Sequence, residues 1–507
     1  MNANILELLE HSAATVPDRP SYISENAQLT WAELEDQARR IGSFLAQRLE
    51  PGSAVSIIMD RDVWCVAAIL GVIYAGCFSA PLDPAQPADR VSRVYDTLRP
   101  KYLLYDHTAG NILQGLGDSL PCPAASYQQA AEAAIDRETL DDIRYWSSAT
   151  DPIEIFYTSG STGQPKGVVH THRSMLFYAH RVVSWTELVT AREVWGNQAP
   201  FFYSNAIFDL FPPMMLGSTV VLIPSQCFLF PKLFIQFFRE HKITTLLMTP
   251  LNYQYIADSG ALTPHCMPDL RSVYLCGEAV TGRLMAAWSQ AAAPDVRIFN
   301  FYGSTECPYM TLFEKDTIPV AQDEIAPSGY LLQGVHLYVL DEDQQPLPQG
   351  EIGEMYVTAP WISCGYYRDP DRTKAAFVTD PLDFGWDQFY YRTGDLGWFD
   401  EHGLLHVAGR RDTQIKHRGY RMDLGEVEAA LRSLEGWQNG CALYNDKEDK
   451  IYCFWTGPIS QTDMKRLLPE KLEKYMLPNV YVWLETLPRT SSGKLDRMTL
   501  KARYFGK

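Results

Sequence analysis

Short apolar runs recur through the first three hundred residues, each set beside a segment of helical spacing, and this alternation limits the chain to layered α/β architecture. Val55–Met59, Tyr102–Tyr105, Val220–Ile223, Thr244–Met248, Val273–Leu275 and Arg297–Phe301 are such runs. They are too short for helices, and they are apolar without the strict alternation of a half-exposed strand. The pattern predicts parallel strands covered on both faces. Residues 5–17 and 31–48 carry apolar side chains at helical spacing. After Gly353-Glu354-Met355-Tyr356-Val357, glycine, aspartate and turn residues crowd together through Asp395, which predicts antiparallel hairpins. A boundary is expected near Gly409, dividing a large domain of residues 1–408 from a small α+β domain of residues 409–507. The small domain is expected to hold a helix at 424–434, strands around 440–456 and a helix at 462–475.

Composition restricts the partners. The 507 residues include 44 basic and 61 acidic side chains, a net charge of −17, which disfavours nucleic acid or an anionic membrane as the main partner. Any polyanion must be held at a local site. No segment reaches about 18 uncharged apolar residues and the N-terminus lacks a basic stretch before an apolar run, so a cytoplasmic protein is expected. The ten cysteines are scattered without a C-x-x-C pair, as for reduced thiols. A monomer is the default expectation.

The run Tyr157-Thr158-Ser159-Gly160-Ser161-Thr162-Gly163-Gln-Pro-Lys166-Gly167 is the strongest single feature. Glycines let backbone N–H groups approach a phosphate, hydroxyls add donors and the lysine adds a mobile charge. Pro165 and Gly167 around Lys166 break the Walker pattern, so a P-loop NTPase is disfavoured. Three further segments follow in order: Asn300-Phe301-Tyr302-Gly303-Ser-Thr305-Glu306, Tyr391-Arg-Thr-Gly-Asp395, and Gly409-Arg410-Arg-Asp412-Thr-Gln-Ile-Lys416. Near the C-terminus stands Arg489-Thr-Ser-Ser-Gly-Lys494.

These segments, in this order, resemble the ANL superfamily of acyl-CoA synthetases, luciferases and adenylation domains. The resemblance is closest to stand-alone amino-acid adenylation enzymes of the D-alanine:carrier-protein ligase type. It implies a large domain of layered α/β sheets plus a distorted β-barrel, with a small mobile α+β domain. It also implies ATP and Mg²⁺ as cofactors and an acyl-AMP intermediate. By resemblance Thr158, Ser159, Gly160, Ser161, Thr162, Gly163 and Lys166 form the pyrophosphate-binding loop. Tyr302 would stack on adenine, with Asn300, Gly303, Gly277 and Glu278 around the nucleotide. Thr305 would contact the α-phosphate, Glu306 would help hold the metal, and Asp395 and Arg410 would serve the ribose. Lys494 would be the catalytic lysine, Asp412 the hinge, and the segment Lys416–Gly419 would be presented for thiol attack. Lysine at Lys494 suits the role, because a carboxylate meeting an α-phosphate sets two anions together.

The acid pocket implied by the resemblance comprises Tyr203, Ser204, Asn205, Phe208, Asn252, Tyr274, Cys276, Phe301, Tyr309 and Met310. Amino-acid activators carry an aspartate at the position of Ser204 to pair with the α-ammonium. A buried ammonium without a counter-charge is costly, so serine there points to a small polar or aryl acid lacking an α-amino group. Asp209 would compensate only by facing inward, and an aromatic cage would also accept a quaternary ammonium. The acceptor is expected to be the phosphopantetheine thiol of a separate acyl or peptidyl carrier protein. The rivals are an amino-acid-specific ligase of the D-alanine type and a short-chain or aryl acyl-CoA synthetase. A catalytically dead binding protein would require damage at Lys166, Glu306, Asp395 or Lys494, and all four are intact.

Overall fold

The computed structural model describes residues 4–159, 164–185, 190–379, 388–411, 414–489 and 495–505, with Leu382 and Gly385. Among them the strands form five sheets, of nine, six, five, three and two strands. In the nine-stranded sheet Val194–Asn197, Thr219–Leu222, Thr245–Met248, Ser272–Cys276 and Arg297–Tyr302 run parallel, as the apolar runs predict. In the six-stranded sheet Ala54–Ile58 lies between Phe78–Pro81 and Tyr102–Tyr105, again parallel. The mixed α/β class follows.

Helix Val63–Tyr74 is apolar on every side and buries all of its residues except Trp64, as a helix enclosed by other elements must. It crosses Trp31–Ala46 closely because two glycines permit it. A Cβ on Gly71 would lie 2.6 Å from that of Ile41, and one on Gly42 would lie 2.6 Å from that of Tyr74. Trp31–Ala46 itself begins with a capping box, Thr30 with Glu33.

Residues 336–410 supply the antiparallel portion. Gly353–Thr358 pairs with Phe389–Phe399, which also pairs with Phe377–Thr379 and Leu405–Arg410. Among the described residues these pairings form a five-stranded sheet. In the last hundred residues the helix expected at 462–475 is shorter. Gln461–Leu467 ends ahead of Pro469, which has no N–H to donate, and short 3₁₀ turns follow.

Buried apolar side chains fall into sets drawn either from residues up to Leu405 or from Ile415 onward. The two meet through polar contacts. Arg90 is 3% exposed on helix Ala88–Leu98; it pairs with the fully buried Glu426, and its Nε lies 2.5 Å from Glu473. Arg93 donates to the Lys471 carbonyl at 2.8 Å. No described helix is long and apolar enough to cross a membrane.

One buried charge stands outside any site. Glu154, in strand Pro152–Thr158, has neither carboxylate oxygen partnered, and burial pushes its pKa up to about 8. A carboxyl raised in the folded state binds more protons folded than unfolded, so stability falls as pH rises from about 4.5 to about 8. Glu154→Gln is expected to remove this slope and to exceed the parent at pH 9 by more than about 2 kcal/mol relative to pH 6. Denaturant titrations at both pH values check it, and an unchanged slope refutes it.

Candidate active site

The carboxyl ends of the parallel strands Ser272–Cys276 and Arg297–Tyr302 bring Cys276, Gly277, Tyr302 and Gly303 to one edge, the usual place for a ligand in an open α/β sheet. Tyr302 Oη donates to Asp395 Oδ2, and Arg410 Nη1 donates to Asp395 Oδ1. The carboxylate therefore sits between a phenol and a guanidinium. Asn300 Nδ2 donates to the Pro327 carbonyl at 2.8 Å, while its Oδ1 is buried without a partner. Gly303 is required by crowding, since a Cβ there would lie 2.3 Å from the Tyr309 nitrogen. Tyr309 in turn has φ +48°, and the Met310 N–H donates to the Tyr302 carbonyl at 2.7 Å.

Beyond this edge lies a dense charge cluster. Glu306 is fully buried; Oε1 accepts from Lys166 Nζ and Tyr366 Oη, each at 2.8 Å, and Oε2 accepts from Arg421 Nη1 at 2.6 Å. Burial alone would raise the Glu306 carboxyl, but Arg421 and Lys166 hold it well below the usual carboxylate range. Lys166 is lowered to about 8, because burial and the nearby Arg421 outweigh the attraction of Glu306. A 380 Å³ cavity opens here, lined by Lys166, Arg372, Arg392, Arg410, Arg411 and Arg421. Glu354 orients two of these, accepting from Arg392 twice at 2.8 Å and from Arg411 at 2.9 Å. In a chain of net charge −17 this is the kind of local basic site a polyanion needs. Both oxygens of Glu306 are engaged and none is exposed, so in this arrangement the carboxylate presents no oxygen to Mg²⁺.

Of the residues expected around the acid, Tyr203, Ser204, Asn205, Cys276 and Tyr309 bound a 30 Å³ hollow, together with Gly277, Thr305, Lys416 and Arg421. Ser204 and Asn205 stand in a 3₁₀ turn leading into helix Ile207–Leu216. Ser204 Oγ and Thr305 Oγ1 are 2.9 Å apart. The Thr305 carbonyl accepts from His170 Nε2 at 2.9 Å, and burial lowers His170 to about 4, which leaves the ring neutral. Phe208, Tyr274, Phe301 and Met310 do not line the hollow. They stand behind it, with Phe208, Tyr274, Phe301 and Tyr309 packed at ring separations of 5.0–6.0 Å. Asn252, on helix Pro250–Asp258, is likewise not in the lining. Asp209 is 1% exposed and does not line the hollow; its Oδ2 accepts from Asn197 Nδ2 at 3.0 Å, its Oδ1 is buried without a partner, and burial raises it to about 8. The described lining therefore carries no carboxylate, and its two charged residues are both cationic.

The segment Lys416–Gly419 reaches this hollow. Gly419 has φ +81°, and its N–H donates to Glu278 Oε1 at 2.8 Å while its carbonyl accepts from Tyr203 Oη at 2.7 Å. A Cβ at Gly419 would come within 2.8 Å of Thr249. Ser159 Oγ donates to the Arg421 carbonyl at 3.4 Å, and Thr158 Oγ1 is buried without a partner. Gly160, Ser161, Thr162, Gly163, Asp412 and Lys494 lie outside the described residues. Arg421, Tyr366 and His170 are the members that sequence reasoning missed. Arg421 had a signal: it stands two residues beyond Gly419 in His417-Arg-Gly-Tyr-Arg-Met.

Residues 9–367 match the family described as AMP-binding enzyme. Bacitracin synthase 3 of Bacillus licheniformis is 30% identical over 510 residues, covering 98% of this chain. The chain spans 8% of the length of that relative. The o-succinylbenzoate CoA synthetase of Bacillus subtilis superposes with a TM-score of 0.83 at 21% identity over 99% of both chains. NpsA-ThdA, an artificially fused adenylation–PCP di-domain from Klebsiella oxytoca, gives 0.80 at 21% identity over 94% of this chain and 93% of its own. At these identities the structural likeness is one of fold.

Proposed function

The chain belongs to the AMP-binding enzyme family of adenylate-forming ligases, and from that premise we propose that it activates a small carboxylic acid lacking an α-amino group. The acid's carboxylate oxygen attacks the α-phosphorus of ATP, the bond to the β-phosphate breaks and pyrophosphate leaves. A phosphopantetheine thiol of a carrier protein then attacks the acyl carbon, and AMP departs with the electron pair of the broken C–O bond. Residues 1–408 would serve as the nucleotide- and acid-binding domain, and 409–507 as the small domain that carries Lys416, Gly419 and Lys494. Adenosine would lie against Tyr302 and Asn300, whose buried Oδ1 has no partner and would accept from an exocyclic amine, and Asp395 with Arg410 would take the ribose. The triphosphate would enter the cavity of arginines beside Lys166. Lys494 would stabilise the charge that builds up when carboxylate and α-phosphate meet.

The observation that supports the reading of the acid is the hollow's wall from the large part of the chain: Ser204 replaces an anion, and Asp209 does not line it and accepts from Asn197. An α-ammonium there would be buried without a counter-charge, whereas a hydroxyl, keto or aryl group finds Ser204, Asn205 and Thr305. A carboxylate panel in acid-dependent ATP–pyrophosphate exchange, with hydroxylamine trapping of the acyl-AMP, tests this. Hydroxy, keto or aryl acids are expected to exceed their α-amino counterparts by about 100-fold or more, several kcal/mol of buried charge. A preferred α-amino acid would sink the reading in favour of a ligase of the D-alanine type. Offering coenzyme A and a holo carrier side by side decides the acceptor. For the carrier, docking of Gly419 against Glu278 and Tyr203 supports a thiol-transfer arrangement. A 340 Å³ cavity bounded by Phe202 and Tyr420 runs beside that contact.

A further inference from the structure

Behind the hollow stand two phenols that the fold leaves without hydrogen bonds. Tyr178, on helix His172–Trp185, and Tyr309 stack with 5.6 Å between ring centroids and 29° between planes. They are 0% and 2% exposed, and neither Oη meets a hydrogen-bond partner. Burial raises both phenols well above their ordinary range, so each keeps its proton and remains a donor. Were the two to bond one another, one O–H would still lack an acceptor. A buried donor left unpaired is costly and rare in native proteins, so the pair calls for a third oxygen. The backbone points the same way. Tyr309 holds φ +48°, in the left-handed region that a bulky side chain seldom adopts, with its ring packed among Tyr178, Phe208 and Phe301.

We propose that Tyr178 and Tyr309 form the far wall of the acid site, and that the acid carries a hydroxyl or carbonyl oxygen at the end remote from its carboxylate, received by these two phenols. Tyr309 connects the pair to the site, because it lines the hollow together with Ser204, Asn205 and Thr305. Arg421 borders both the hollow and the cavity of arginines, which marks the end that faces the triphosphate. Tyr309 belongs instead to the aromatic group at the back. A hollow of 30 Å³ has room for about two waters, so even a short acid reaches from Thr305 to Tyr309. Its far oxygen then supplies the acceptor that the phenols lack, whereas a far methyl or hydrogen leaves them unpaired. A site built to hydrogen-bond an oxygen rejects the analogue without it more strongly than an apolar pocket rejects a missing methylene. Tyr178 is thereby a specificity residue outside the lining. Asp209 is the remaining group whose charge acts on both phenols, and its unpartnered Oδ1 would suit an ammonium at the same end. The positive charge of Arg61 already acts on Asp209, which leaves an oxygen as the better fit.

This inference rests on the acid activation proposed above, and paired acids separate their failures. With the full-length protein, γ-hydroxybutyrate is compared with butyrate, and para-hydroxybenzoate with benzoate, in acid-dependent pyrophosphate exchange. Homoserine with α-aminobutyrate, and tyrosine with phenylalanine, repeat the comparison in the α-amino series. In at least one pair the oxygenated acid is expected to exceed its partner by about tenfold or more in kcat/KM. Tyr178→Phe is expected to cut that ratio by about tenfold, through KM and not kcat. It should also leave the melting temperature equal or higher, because it deletes an unpaired buried hydroxyl. Tyr309→Phe, read in the same way, covers the case in which the first variant fails to fold. If the α-amino members win, the reading of the α-position fails and the far-end ratio still decides this one. Absence of exchange with every acid defeats the proposed function and this inference with it, whereas no oxygen preference among acids that do react overturns this inference alone. So does a lowered melting temperature in both variants with the ratio intact, the mark of a structural water between the phenols. A preference for γ-aminobutyrate that Asp209→Asn abolishes overturns it in favour of a distal ammonium.

Discussion

Asp395→Ala is expected to lower acid-dependent pyrophosphate exchange by about 10²–10⁴-fold in a protein that still folds. Asp395 is 8% exposed, fixed between Tyr302 and Arg410. With its two oxygens held this way it can receive two vicinal hydroxyls. Each hydrogen bond to an ionised group contributes about 1.5–3 kcal/mol, and losing two gives the stated range. Removal also frees the Tyr302 phenol and the Arg410 guanidinium, so the nucleotide would meet a looser wall. Sugar variants identify the cause. The parent should discriminate against 2′- and 3′-deoxy-ATP by tenfold or more, and Asp395→Ala should hardly discriminate at all. If the variant loses exchange yet keeps the parent's preference for ribose, Asp395 acts on the fold and not on the sugar.

How much of this was legible in the sequence depends on the distance over which each feature is determined. Parallel strands such as Thr245–Met248 and Arg297–Tyr302 were readable because a strand covered on both faces must be apolar at successive positions, a local requirement. The overrun at 462–475 shows local pattern failing at a single residue, since apolar spacing continues past Pro469 but the α-helix gives way there to short 3₁₀ turns. The placing of Asp395 and Glu306 came from ordered motifs. What the motifs could not supply was the pairing. Glu306 meets Lys166 across 140 residues and Arg421 across 115, and no periodicity records such a contact. The pocket shows the same limit. Phe208, Tyr274 and Phe301 were expected on its wall; aromatic packing draws them behind Tyr309, and two cations from beyond residue 409 take part in the lining instead.

Arg90→Ala is expected to cut acyl transfer to the thiol by about 100-fold or more while leaving pyrophosphate exchange at or above the parent rate. Arg90 is the counter-charge of two carboxylates brought by the C-terminal part, Glu426 and Glu473, and burial already raises the Glu426 carboxyl against the pull of Arg90. Deleting one partner of a buried pair costs about 3–5 kcal/mol, because the other charge stays desolvated and unpaired. Here that penalty applies only to the arrangement in which Glu426 and Glu473 rest on helix Ala88–Leu98. The C-terminal part escapes it by undocking, and about 3–5 kcal/mol shifts such an equilibrium by roughly 10²- to 5 × 10³-fold. Gly419 and Arg421 sit on the same unit and leave with it, so the step that needs them fails selectively. Faster tryptic cleavage after Arg410 or Arg411 would report the undocking directly. Partial recovery in the charge-swapped pair Arg90→Glu with Glu426→Arg would tie it to this contact. Equal losses in exchange and transfer, or unchanged cleavage, would mean that the buried ion pair supports the fold of the large part and does not select between arrangements.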